Sequence, residues 1–102
     1  KKESQIDWGD NAIKIIGKIN GLSPFPGAFF SFKGERFKIL RAEIGNGIGK
    51  VGEVISNQLE VACQNNQSIK ILEIQRQGKK PQKIGEFMLG SQIRKGSVIT
   101  YV

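Results

Sequence analysis

The side chains best placed to do chemistry in this sequence are cations. Arg76, Lys79, Lys80 and Lys83 fall within eight residues, with Pro81 stiffening the middle, and Arg94 and Lys95 follow. Lysines on a loop reach phosphate oxygens and carry no base code. Arg36, Lys38 and Arg41 form a second group. Lys38 is opposite in phase to apolar Phe37 and Ile39, so on a strand it faces solvent. Lys and Arg number 16 against 9 Asp and Glu, a formal net charge of +7. That excess points to an anionic partner, nucleic acid first. It is uneven: +4 over residues 1–50, −2 over 51–74 and +5 over 75–102. The two basic ends are expected to meet on one face. The six phenylalanines mostly fit a core and leave no evident exposed aromatic, which favours contact with a duplex backbone over reading of single-stranded bases.

Other chemistries are poorly supplied. Histidine is absent, which removes the commonest general base and metal ligand. The single cysteine, Cys63, cannot form an internal disulfide or a zinc site, and it has no histidine to activate it. No paired carboxylates stand out. Gly47-Ile48-Gly49-Lys50-Val51-Gly52 matches G-x-G-x-x-G, but a strand-like run follows where the dinucleotide fingerprint needs a helix. Val51 stands where a phosphate loop needs Ser or Thr. By itself the chain reads as non-enzymatic, without a metal or a cofactor of its own. No apolar run approaches membrane-spanning length and no signal peptide opens the chain, so no membrane partner is expected; a cytoplasmic location and a monomer are the accompanying expectations.

The elements that must carry the cations follow from periodicity. Asp10 can cap a helix over residues 11–20, with Ala12, Ile15, Ile16 and Ile19 on one face, and Gly21 can end it as a left-handed cap. Gly21 to Phe29 holds two of the three prolines. It reads as a stiff extended corner with Phe25 pinned into the body of the domain. From Ala28 the period becomes two. Gly34-Glu35 suits a type II′ hairpin into Arg36–Ile39.

Apolar residues then change phase twice, from Phe37 and Ile39 to Leu40, Ala42 and Ile44, and from Ile69 and Ile71 to Leu72 and Ile74. A β-bulge in each strand produces such a slip and implies a curved, barrel-like sheet; strands buried on both faces are the alternative. Gly45 to Gly52 reads as a flexible loop. Gly52–Ile55 and Gln58–Cys63 read as a hairpin across Ser56-Asn57. Gln64–Gln67 is a turn and Gln77–Pro81 an exposed basic loop. Lys83 to Leu89 is a short helix with Ile84, Phe87 and Met88 inward. Val98–Val102 is a last strand. The fold class expected is mostly β: a small open β-barrel with an N-terminal helix and a short C-terminal helix.

Several pieces, in order, resemble a known family. They are Ile6-Asp7-Trp8, Gly21-Leu22-Ser23-Pro24-Phe25-Pro26-Gly27-Ala28-Phe29, Lys38 to Glu43, Gly52-Glu53-Val54, Leu72 to Gln75 and Gly78-Lys79-Lys80. Together they look like the C-terminal domain of methionyl-tRNA formyltransferases. The resemblance implies a barrel like an OB fold over residues 6–102, with residues 1–5 the end of a basic interdomain linker and a Rossmann-like catalytic domain lying outside this chain. It implies initiator methionyl-tRNA and the chain's own N-terminal catalytic domain as partners, and 10-formyltetrahydrofolate as co-substrate of the parent enzyme. On this reading tRNA is held by Lys1, Lys2, Arg36, Lys38, Arg41, Arg76, Lys79, Lys80 and Lys83. Formyltransferases acting on sugar nucleotides or folate carry similar modules, so a scaffold or protein-docking domain without RNA binding is the alternative.

Overall fold

The computed structural model describes residues 4–99. Helix α1 (Ala12–Leu22) is followed by strands β1 (Ala28–Phe32), β2 (Glu35–Ile44), β3 (Glu60–Cys63), β4 (Gln67–Arg76) and β5 (Pro81–Lys83), and then by helix α2 (Ile84–Leu89). One antiparallel sheet runs β1-β2-β4-β3, with β5 also on β4. Its curl makes the open barrel expected from the phase slips.

The slips are two bulges that cancel. Ile39 pairs with Ile74 and Arg41 with Glu73, so Leu40 is the extra residue on β2. Arg41 pairs with Glu73 and Ala42 with Ile71, so Leu72 is the extra residue on β4. The register is the same on both sides. An unpaired residue bends and twists its strand, and two on neighbouring strands turn the whole sheet. β4 uses the same place to change partners: residues 67–70 pair with β3 and residues 73–75 with β5.

Inside the curl lies a continuous apolar core. Trp8, Phe30, Phe37 and Phe87 form a chain of ring contacts, edge-to-face, stacked and edge-to-face, with centroids 6.1, 5.3 and 5.6 Å apart. Ile39, Ile69, Ile71 and Ile74 close over it from β2 and β4. Helix α1 buries Ala12, Ile15 and Ile19 against this core, as its 3.6-residue period requires. Ile84, Phe87 and Met88 of α2 pack from another side.

Helix and turn limits depart from the sequence expectations in instructive ways. The cap of α1 is Asn11, whose Oδ1 accepts the Lys14 N–H at 2.9 Å; Asp10 instead approaches the Lys14 ammonium at 4.0 Å. Gly21 stays helical and the helix ends at Ser23, whose N–H donates to the Ile19 carbonyl. The β1–β2 turn is Lys33-Gly34, both with positive φ (51° and 81°). Two left-handed residues make a type I′ turn, one position earlier than a II′ turn at Gly34-Glu35. Residues 56–59 form a longer turn than Ser56-Asn57 alone. Leu59 turns left-handed (φ 57°) and is fully buried, so the extra length serves the core.

The glycine-rich segment after β2 is packed rather than flexible. Glu60 Oε2 accepts the Gly47 N–H at 2.8 Å and the Ser68 hydroxyl at 2.6 Å. A Cβ on Gly45 would lie 2.4 Å from the same oxygen. Burial pushes the Glu60 carboxyl up, but the Ser68 and Gly47 hydrogen bonds and the Lys70 charge outweigh it, leaving Glu60 below its usual range. Gly52 has φ 86°, and a Cβ there would lie 2.4 Å from the Ile99 carbonyl oxygen. That close approach lets Ile99 N–H donate to Gly52 O at 2.7 Å, beside the Glu53–Val98 bridge. The expected last strand thus begins as a short ladder; Thr100 to Val102 lie outside the described residues. Among the described residues no helix is long and apolar enough to cross a membrane, and no group of three or more potential ligands could hold a metal.

Candidate nucleic-acid interface

The outer face of the sheet is set by pairing. Phe29 of β1 lies opposite Lys38 of β2, Lys38 opposite Gln75 of β4, and Gln75 opposite Pro81 of β5. Directly opposed residues share a face. With Phe37, Ile39 and Ile74 turned into the core, Arg36 and Lys38 face outward. Arg36 lays its guanidinium over the Phe29 ring at 4.0 Å, a cation–π contact that shields Phe29 on an otherwise solvated face. Gln5 bridges Phe29 on the other side, and the Ile6 N–H donates to the Phe29 carbonyl at 2.8 Å.

These residues border a groove of about 260 Å³, lined by Ser4, Pro26, Gly27, Phe29, Arg36, Lys38 and the Gln75–Gly78 segment. Of the late basic residues, Arg76 borders this groove together with Arg36 and Lys38. Lys38 crosses the groove wall: its Nζ donates to the Pro24 carbonyl at 3.2 Å. Its stem covers Gly27, where φ is 86° and a Cβ would lie 2.4 Å from Lys38 Cδ. Only glycine suits that position.

The Pro-Phe-Pro corner beside the groove overturns one expectation. Phe25 is 85% exposed. The corner is fastened through its ends instead: the Ser23 hydroxyl donates to the Leu40 carbonyl at 3.1 Å and the Gly27 N–H to the Leu22 carbonyl at 2.9 Å. That leaves Phe25 at the tip with no core position to fill. Both proline bonds, Ser23-Pro24 and Phe25-Pro26, are cis. Lys38 Nζ lies 5.9 Å from the Phe25 ring centroid. Sequence reasoning pinned Phe25 into the body of the domain and so missed it; its place between two prolines was the available signal.

The loop joining β4 to β5 holds Lys79 and Lys80, both exposed. Its backbone is ordered by the Lys79 N–H donating to the Arg76 carbonyl at 3.0 Å and by Gln75 Nε2 donating to the Lys79 carbonyl at 2.8 Å. Arg76 has a different neighbourhood. It pairs across from Phe37 and donates from Nε and Nη2 to the two Glu35 oxygens at 2.7 and 3.1 Å. The Glu35 carboxylate raises the Arg76 pKa further and offsets its charge, although Arg76 also borders the groove.

Arg41 and Lys83 form a second position. Arg41 opposes Glu73, and Glu73 opposes Lys83, around a smaller hollow of about 170 Å³. An acid thus sits between these two cations. Arg94 and Lys95 lie by the Asn57 turn, where Asn57 Oδ1 accepts the Lys95 N–H. Lys1 and Lys2 lie outside the described residues.

Comparison with known proteins places this geometry in a family. The family model described as "Formyl transferase, C-terminal domain" matches residues 1–92. The methionyl-tRNA formyltransferase of Pelagibacter ubique is 69% identical over all 102 residues, which cover 33% of that protein. That of Paramagnetospirillum magneticum is 38% identical over 97% of this chain and 32% of its own length. The chain thus spans about a third of these relatives. Among solved structures, HypX from Aquifex aeolicus in complex with tetrahydrofolic acid superposes over the whole chain and 21% of its own, with a TM-score of 0.73 at 16% identity, a likeness of fold alone. By the match of the family model across nearly its whole length, the chain belongs to the formyl transferase C-terminal domains.

Proposed function

We propose that this domain is the non-catalytic, tRNA-gripping part of a methionyl-tRNA formyltransferase, an enzyme that formylates the amino group of initiator methionyl-tRNA. The observation that carries the reading is the convergence of Arg36 and Lys38 with the Gln75–Gly78 segment around one groove, in a chain with a net charge of +7. Arg36, Lys38, Lys79 and Lys80 supply phosphate contacts around that groove. Arg41 and Lys83 extend them along the sheet, and Lys1 and Lys2 add linker charge. Arg76 is tied to Glu35, so its part is to hold the β4 end of the groove wall.

Formyl transfer itself belongs to the rest of the parent protein. Around the groove the described side chains are cations, amides, apolar groups and the Ser4 hydroxyl, with no carboxylate or imidazole in the lining. No step of the reaction is therefore routed through this domain, and the co-substrate 10-formyltetrahydrofolate is assigned to the domain's catalytic partner. A role in translation initiation places the protein in the cytoplasm.

The test is binding of the full-length protein to initiator and elongator tRNAs across a salt series, with and without the Lys79→Ala/Lys80→Ala change. Salt-dependent binding to both RNAs, weakened in the variant, is expected. Unchanged affinity in the folded double variant, or wild-type binding insensitive to salt, overturns the reading.

A further inference from the structure

We propose that the groove beside the Pro-Phe-Pro corner seats one unstacked nucleotide of the bound RNA, with Phe25 and Arg36 as its two stacking surfaces and Lys38 beside its phosphate. The proposal rests on the tRNA reading above and changes what the domain recognises, from a duplex backbone alone to a backbone plus one splayed base. Three observations carry it. Phe25 is a large aromatic side chain held at 85% exposure, on a corner whose two ends are fastened by hydrogen bonds to the Leu40 and Leu22 carbonyls. A fixed, solvent-facing ring offers a π face at little ordering cost, and base–aromatic stacking tolerates any base. Lys38 Nζ lies 5.9 Å from that ring and is oriented by the Pro24 carbonyl, so ring and positive charge are presented together.

In the groove lining the Arg36 guanidinium is backed by Phe29 at 4.0 Å. An Arg plane supported on one side is a platform on which an unpaired base can stack on the other. A regular duplex cannot use these surfaces, because its base faces are already covered by their neighbours. An unpaired or flipped-out nucleotide can, with its phosphate toward the Lys38 ammonium.

The test uses the full-length protein. Phe25→Ala and Arg36→Lys are compared with wild type for tRNA affinity across salt. Loss of stacking is expected to weaken binding by about 5- to 150-fold while leaving the salt slope unchanged, since neither change removes a cation. Phe25→Trp should restore the affinity, and its emission, read as the difference from wild type, should be open to acrylamide in the free protein and shielded by tRNA. Shielding by UMP or AMP but not by tRNA overturns the assignment of the nucleotide to RNA. Shielding before any RNA is added overturns it too, because the corner is then covered by the rest of the protein. If wild type shows salt-dependent tRNA binding and the Phe25→Ala and Arg36→Lys variants bind within twofold of it, the groove proposal fails and the backbone reading survives. If wild type does not bind tRNA, both fail.

Discussion

Glu60→Ala is expected to destabilise the domain by about 1–3 kcal/mol, and the figure follows from which partner is stranded. The Glu60 carboxylate accepts from the Ser68 hydroxyl at 2.6 Å and the Gly47 N–H at 2.8 Å, with a weaker contribution from the Asn46 backbone. Gly47 lies on a partly exposed segment and can turn to water. Ser68 is fully buried and cannot, and a buried donor without an acceptor costs roughly 1–3 kcal/mol. In a domain of this size each kcal/mol moves the melting midpoint by about 4–8 °C, so a drop on the order of 10 °C is expected. Thermal and urea unfolding, followed through the buried sole tryptophan, Trp8, measures it. Adding Ser68→Ala removes the stranded hydroxyl, so the double variant should be more stable than the sum of the singles predicts. A Glu60→Ala variant within about 0.5 kcal/mol of wild type, or strict additivity with Ser68→Ala, would falsify the argument. The pH dependence carries the same signature. Because the folded carboxyl lies below its ordinary value of 4.5, its contribution is complete above that pH and is lost as pH falls through the folded value. The stability gap between wild type and Glu60→Ala should therefore shrink on acidification.

Other perturbations separate the roles assigned above. Lys79→Ala/Lys80→Ala should flatten the slope of log affinity against log salt for tRNA by about 1.4–1.8, the release of two phosphate contacts; Arg76→Ala, whose charge is offset by Glu35, should flatten it far less. Gly52→Ala must take a residue at φ 86° with its Cβ against the Ile99 carbonyl, and should cost more than about 2 kcal/mol in urea unfolding. Phe30→Ala removes a fully buried ring that contacts both Trp8 and Phe37, and should cost about 3–5 kcal/mol by the same measurement.

What the sequence made legible was what periodicity encodes. Ile39 followed by apolar Leu40, and Ile71 by Leu72, announced both bulges and hence the curl, because a strand that keeps its core face must gain a residue to change phase. The inward set of α1 and α2 followed from helical spacing. Positions where two local solutions have similar energy were not legible. Asp10 and Asn11 can each cap a helix, and the geometry of the preceding Asp7–Asp10 turn, in which the Asp10 N–H donates to the Asp7 carbonyl, leaves the cap to Asn11. Lys33-Gly34 and Gly34-Glu35 can each turn a hairpin, and the cross-strand register chose the first. β5 was hidden by Pro81, an edge residue that needs no donor. For the interface, the uneven charge was readable from composition, but the fate of single cations was not. The partner of Arg76 lies 41 residues away, a distance no local pattern spans. Phe25 was misplaced because hydrophobicity says what a side chain gains by burial, not whether the backbone leaves it a place.

The paired bulges have a consequence for how this chain can change length. Leu40 and Leu72 each add, on neighbouring strands, one residue that the pairing skips. Deleting Leu40 alone would set Arg41 directly after Ile39, still outward and still opposite Glu73, with Ala42 still opposite Ile71; the strands would keep their partners and the sheet would lose one of its two bends. Deleting both would leave the same pairing on a flatter sheet. Loss of either leucine should therefore open the curl and leave the two faces as they are, whereas a deletion at a paired position such as Lys38 would slide the residues on one side of it and exchange their faces.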